Sequence, residues 1–144
     1  MSVLKLGNHF LERAAPDLWR ITIRGDVSPQ EATEILEVDS ALCKERGYAL
    51  LLVDATDVGR VPPETRRAAV EMAKKHLDYR GSSAVFGVGF YGRTLLGLTV
   101  NAVRLLAGER SFVRFFSEEA EARTWLASRR AIYLAKTDKS GPQK

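Results

Sequence analysis

Apolar residues run unbroken from 49 to 53 and stop at Asp54. A run with no polar side predicts a strand covered on both faces, the behaviour of an interior strand in a parallel or mixed sheet rather than an edge. A polar loop and Pro62-Pro63 follow, and then Ala69, Val70, Ala73 and Leu77 recur at helical spacing, predicting a helix over 63–77. Upstream, residues 9–14 can form a short strand and residues 18–25 a stronger one, with Ala15-Pro16-Asp17 as the turn. In the stronger strand Trp19, Ile21 and Ile23 alternate with Arg20, Thr22 and Arg24, so one face meets the core and the other is wet. The pair predicts an antiparallel hairpin at a sheet margin.

Between the hairpin and the central strand, Ser28-Pro29-Gln30-Glu31 carries the marks of a helix start. Ser28 can cap, Pro29 suits the first helical position, and Glu31 can complete a capping box. Ala32, Ile35, Leu36, Leu42 and Cys43 give the apolar stripe, and Gly47 is placed to end the helix. Asp39 falls within the stripe, where pairing with an arginine would offset the cost of burying its charge. After the helix over 63–77, Arg80-Gly81-Ser82-Ser83 reads as a break and residues 84–90 as another apolar strand. Residues 93–107 read as a helix stopped by Gly108, residues 111–116 as the last strand, and Ser117-Glu118-Glu119 as the start of a last helix anchored by Ala122, Trp125 and Leu126. The expected fold class is α/β, a mixed sheet of about five strands with an N-terminal antiparallel hairpin followed by parallel strands, with four helices in the order ββαβαβαβα. The expected organisation is one domain over 1–130 and a basic, disordered tail over 131–144 containing Gly141-Pro142.

Composition narrows the class. The 144 residues are 45% hydrophobic and 28% charged, ordinary for a globular domain and enough for one core. The net charge is +4, with basic residues interleaved among acids, so no nucleic-acid partner is expected. No window approaches a membrane span, and the opening MSVLKLGNHF lacks the apolar core of a secretory signal, which together predict a cytoplasmic protein of bacterial type. Cys43 is the only cysteine, and His9 and His76 are isolated, so neither a disulfide nor a metal site is expected and no cofactor is implied.

Chemistry concentrates at the carboxyl ends of the predicted parallel strands, where open α/β sheets place their ligands. Asp54, Thr56, Asp57, Arg60, Glu64, Arg66 and Arg93 should gather there, with Arg60 or Arg66 as the natural partner of Asp54. The run Gly87-Val88-Gly89-Phe90-Tyr91-Gly92 matches a dinucleotide fingerprint between a strand and a helix, which places Gly89 at the same edge. Phe90 and Tyr91 are bulky where a pyrophosphate needs open backbone, and glycines that allow close packing explain the spacing equally well. Over 93–107 the leucines and valines wrap more than half of the helix surface. That helix should meet a neighbouring helix, a second copy as a homodimer, or a small apolar ligand. No Ser/His/Asp or Cys/His set points to a nucleophile.

The strand ALLLVD, the segment FVRFFSEEAEARTWL and GVGFYGR, taken with the element order over about 10–128, resemble a STAS domain of the SpoIIAA-like group of stand-alone bacterial proteins. In the anti-sigma-factor antagonists of that group, a loop after the ALLLVD-like strand leads to Asp-Ser-Ser-Gly, whose serine is phosphorylated by a partner kinase. Laid on without gaps from Asp54, that motif falls on Pro62, Pro63, Glu64 and Thr65, so the phosphoacceptor serine is absent. Glu64 offers a fixed negative charge at the helix start and Thr65 the only nearby hydroxyl. The resemblance implies a non-enzymatic protein-binding and signalling module that docks an unknown protein partner, or itself, through Asp54–Arg66. The alternative is a carrier or sensor of a small apolar or anionic ligand, Sec14-like or nucleotide. An enzyme is less favoured.

Overall fold

The structure, a computed structural model, describes residues 3–76, 78–89 and 111–140. Six strands form a single mixed sheet in sequence order: β1 (Val3–Leu6), β2 (His9–Ala15), β3 (Leu18–Gly25), β4 (Ala49–Val58), β5 (Gly81–Phe86) and β6 (Ser111–Phe116). β1 to β3 are an antiparallel meander, and β3 to β6 run parallel. Three helices lie among the described residues: α1 (Pro29–Arg46), α2 (Pro63–Lys75) and α3 (Glu119–Ser140). The helix expected over 93–107 lies outside the described residues.

The sheet exceeds the expected five strands because Val3–Leu6 pairs with β2 across a two-residue turn. Gly7, with φ 60°, supplies the left-handed backbone that such a tight hairpin needs. Four residues are too short to register as a periodic pattern.

α1 begins and ends as the sequence predicts. Ser28 Oγ accepts from Glu31 N at 3.1 Å, and Glu31 Oε1 accepts from Ser28 N at 2.9 Å, the two halves of a capping box worth about 1 kcal/mol. Gly47 closes the helix in the left-handed region at φ 87°, its N–H donating to the Cys43 carbonyl.

β4 occupies the interior, hydrogen-bonded to β3 on one side and β5 on the other. Its side chains divide between two cores. Ala49 and Leu51 join Trp19, Ile21, Ile23, Leu42 and Cys43 under α1, while Leu50 and Leu52 join Leu18, Ala84, Phe86, Ala122 and Leu126 under α3. Each fully buried leucine stabilises the fold by roughly 2 kcal/mol. The strand does not stop at Asp54; it continues to Val58 because β3 stays paired with it through Gly25.

Two other boundaries move. β5 starts at Gly81, so Ser82-Ser83 is strand and not a break. Ser82 is tolerated at a fully buried position because its Oγ meets Tyr133 Oη at 2.8 Å and accepts from Arg129 Nε at 3.0 Å. α3 passes through the segment expected to be a disordered tail and ends at Ser140. The anchor is Tyr133, 3% exposed and stacked on Tyr48 with ring centroids 4.9 Å apart.

Candidate functional site

Parallel pairing brings the carboxyl ends of β3, β4 and β5 to one edge, and on the α3 side of the sheet that edge carries a chain of charges. Thr22 and Asp54 are register partners, as are Asp54 and Phe86. Arg20, one step earlier on the same face of β3, places Nη2 at 3.6 Å from Asp54 Oδ2 and 3.1 Å from Glu119 Oε1. Its Nη1 donates to Thr22 Oγ1 at 3.0 Å, and its guanidinium lies 6.0 Å over the Phe86 ring. Glu119 is shared with Arg123, whose Nη2 is 2.7 Å away. Hydrogen bonding from Arg20, then from Arg123, holds the Glu119 carboxyl below the ordinary range against the opposing effect of burial.

The partner of Asp54 is therefore Arg20, and not Arg60 or Arg66. Of the β3 face expected to be wet, Arg24 is exposed, whereas Arg20 and Thr22 are half-buried, with Arg20 reaching both Asp54 and Glu119 in the first turn of α3. Nothing in the local sequence ties Arg20 to Glu119, 99 positions apart; the only signal was a strand arginine on the face opposite Trp19.

On the α1 side the same edge forms a braced rim. Gly59 N donates to Gly25 O at 2.7 Å, Val27 N to Arg60 O at 3.0 Å, and Arg60 N to Asp26 Oδ1 at 2.7 Å. Thr65, 1% exposed, donates its hydroxyl to the Val27 carbonyl at 2.7 Å and so ties α2 to the same loop. Arg66 is half-buried, with Nη1 donating to the Val61 carbonyl at 3.0 Å. Thr56, Asp57 and Glu64 are exposed, and the Arg60 side chain is 88% exposed, 3.7 Å from Asp26.

The predicted site residues thus separate by role. Asp54 belongs to the half-buried charge chain, Thr65 and Arg66 brace the loop, and Thr56, Asp57, Arg60 and Glu64 present their side chains to solvent. Gly89 is exposed, whereas Arg93 lies outside the described residues. Gly87, at φ 86°, packs so closely on Thr56 that a Cβ would lie 2.5 Å from Thr56 Oγ1; the first glycine of the fingerprint is explained by strand contact.

Other ionisable groups serve the frame. Asp39 is buried beneath Tyr79, whose hydroxyl donates to Oδ1 at 3.0 Å, and not beside an arginine as expected. Burial pushes its carboxyl up to about 7 despite that hydrogen bond, and burial likewise pushes up the Cys43 thiol. His9 is buried, its Nδ1 accepting from Arg24 N and its Nε2 3.2 Å from Glu31. Among the described residues no group of three or more His, Cys, Asp or Glu is arranged to hold a metal, and no helix is long and apolar enough to cross a membrane.

A family model described as SpoIIAA-like matches residues 18–127. A solved structure of an uncharacterized protein of the DUF3478 family with a SpoIIAA-like fold, from Shewanella loihica PV-4, is similar at a TM-score of 0.50 and 16% identity. It covers 87% of this chain and 90% of its own. Comparison with curated proteins gave no match.

Proposed function

The chain belongs to the SpoIIAA-like family, and we propose that it is a non-catalytic interaction module of STAS type that docks a protein partner through the rim around β4. The observation that carries this reading is the bracing of that rim. Backbone bonds from Gly59 to Gly25 and from Val27 to Arg60, with the Thr65 bond to Val27, fix a loop whose Asp57, Arg60 and Glu64 side chains stay in water. A surface already held in one shape loses little conformational entropy when a partner binds, so charges on it can act as specificity contacts.

Glu64 is exposed in the first turn of α2 and supplies permanent negative charge where the family's motif has a phosphorylatable serine. Thr65 is turned inward and does not replace that serine. Docking is therefore constitutive in this reading and is not switched by phosphorylation at this helix start.

The test is affinity capture with wild type, an Arg60→Glu/Glu64→Lys double variant, and a control with Glu71→Lys/Lys74→Glu on the exposed side of α2. The expected result is a partner retained by wild type and control and lost by the rim variant. Equal retention by all three overturns the rim. A stoichiometric small molecule in native mass spectra of the purified protein, with no partner captured, would replace docking with ligand carriage.

A further inference from the structure

At the opposite edge of the sheet, β4, β5 and β6 begin side by side and the second half of α3 lies over them. Arg80, Arg129 and Arg130 reach the part of this edge under α3, and of these three Arg130 alone is ion-paired among the described residues. Arg130 grips Asp17 with Nε at 2.8 Å and Nη2 at 2.7 Å, and Asp17 also accepts from Tyr48 Oη at 2.6 Å. Arg129 donates Nε–H to Ser82 Oγ, and its guanidinium carbon lies 4.0 Å over Phe112 and 5.3 Å from the Tyr133 ring centre. Arg80, the residue before β5, holds its guanidinium carbon 5.5 Å from the same Tyr133 ring.

Neither Arg80 nor Arg129 has a carboxylate partner among the described residues, and the Arg80 guanidinium has no hydrogen-bond acceptor there. Both are half-buried. A guanidinium over an aromatic ring engages its face and leaves its N–H edge available. Two such groups drawn to one ring repel each other, and the repulsion grows as water is excluded. Among the described residues no carboxylate is within ion-pair distance of either guanidinium, whereas Asp54 and Glu119 serve the arginines of the other edge.

From this arrangement we infer that Arg80 and Arg129, flanking Tyr133, form a binding site for a phosphate-class oxyanion. A tetrahedral dianion carries twice the charge of a carboxylate and has more acceptor oxygens, enough to take N–H groups from two forks at once. The site is separate from the β4 rim and does not depend on a partner docking there.

The test is titration of the full chain with inorganic phosphate at constant ionic strength balanced with sodium chloride. Backbone amides of residues 80–82 and the arginine Nε–H signals are followed by NMR. Saturable shifts at Arg80, Ser82 and Arg129 are expected, with the apparent affinity weakened at least tenfold in Arg80→Gln and in Arg129→Gln. Because Arg129 also holds Ser82, the Arg80→Gln variant carries the decision, its side chain making no hydrogen bond on which the fold rests. Arg80→Lys, which keeps the charge and loses the fork, should fall between. Shifts that match a chloride titration, or saturation unchanged in Arg80→Gln, would overturn the site.

Discussion

The two edges of the sheet solve the same electrostatic problem differently. At the carboxyl edge, Arg20 and Arg123 are neutralised by Asp54 and Glu119, and the charges left in solvent lie on the braced loop of Asp57, Arg60 and Glu64. At the amino edge, Asp17 neutralises Arg130 alone, and Arg80 and Arg129 remain on aromatic rings. One edge is a closed ion-pair chain beside a rigid mixed-charge rim; the other, among the described residues, holds two arginines on aromatic rings with no carboxylate at ion-pair distance. Charge left uncompensated by the fold, in either form, marks where the surface can recognise something else.

The largest effect should come from breaking the buried Asp17–Arg130 pair of the amino edge. Asp17→Ala strips both Arg130 and the Tyr48 hydroxyl of their acceptor, and urea denaturation should show a loss of about 3 kcal/mol, the low end for a buried pair because Arg130 is partly exposed. At the carboxyl edge, Arg20→Met leaves Asp54 and Glu119 facing each other without their shared cation. Its cost should be smaller, about 2 kcal/mol, since both acids keep access to water.

A third measurement concerns pH. Asp39 titrates near 7 in the folded chain because it is buried, well above its unfolded value, so the folded state holds a proton that the unfolded state has lost. Its contribution is fully present below the unfolded value and disappears as pH rises through about 7. Stability should fall by about 1.4 kcal/mol between pH 6 and pH 8. Asp39→Asn should remove that slope. Asp17, Glu31 and Glu119 are shifted the other way, by hydrogen bonds that outweigh burial, and their contributions are lost only on acidification below the window used. A slope that persists in Asp39→Asn would assign the proton to another group. The smallest effect belongs to the rim: Arg60→Glu/Glu64→Lys should change stability by less than about 0.5 kcal/mol, because both side chains are in solvent.

What could be read from the chain beforehand was whatever is encoded within a few residues. Ser28 and Glu31 lie three apart and cap the same turn, and the apolar stretch before Asp54 needs no partner to declare an interior strand. The misplaced boundaries depend on distant residues. Ser82 is a strand residue only because Tyr133 and Arg129 meet its hydroxyl, and α3 continues past residue 131 only because Tyr133 finds Tyr48. The site was legible to the same degree. The rim follows from where β4 ends, whereas the Arg20–Glu119 link and the inward turn of Thr65 emerge from packing between elements.

The claim that the rim, and not the amino edge, docks a protein is tested most directly by one parallel capture experiment. Wild type, Arg60→Glu/Glu64→Lys and Arg80→Gln/Arg129→Gln would be presented at equal loading, and the bound partner quantified. At least a tenfold loss is expected for the rim variant and undiminished recovery for the amino-edge variant. Undiminished recovery by the rim variant, or loss confined to the amino-edge variant, would contradict that claim.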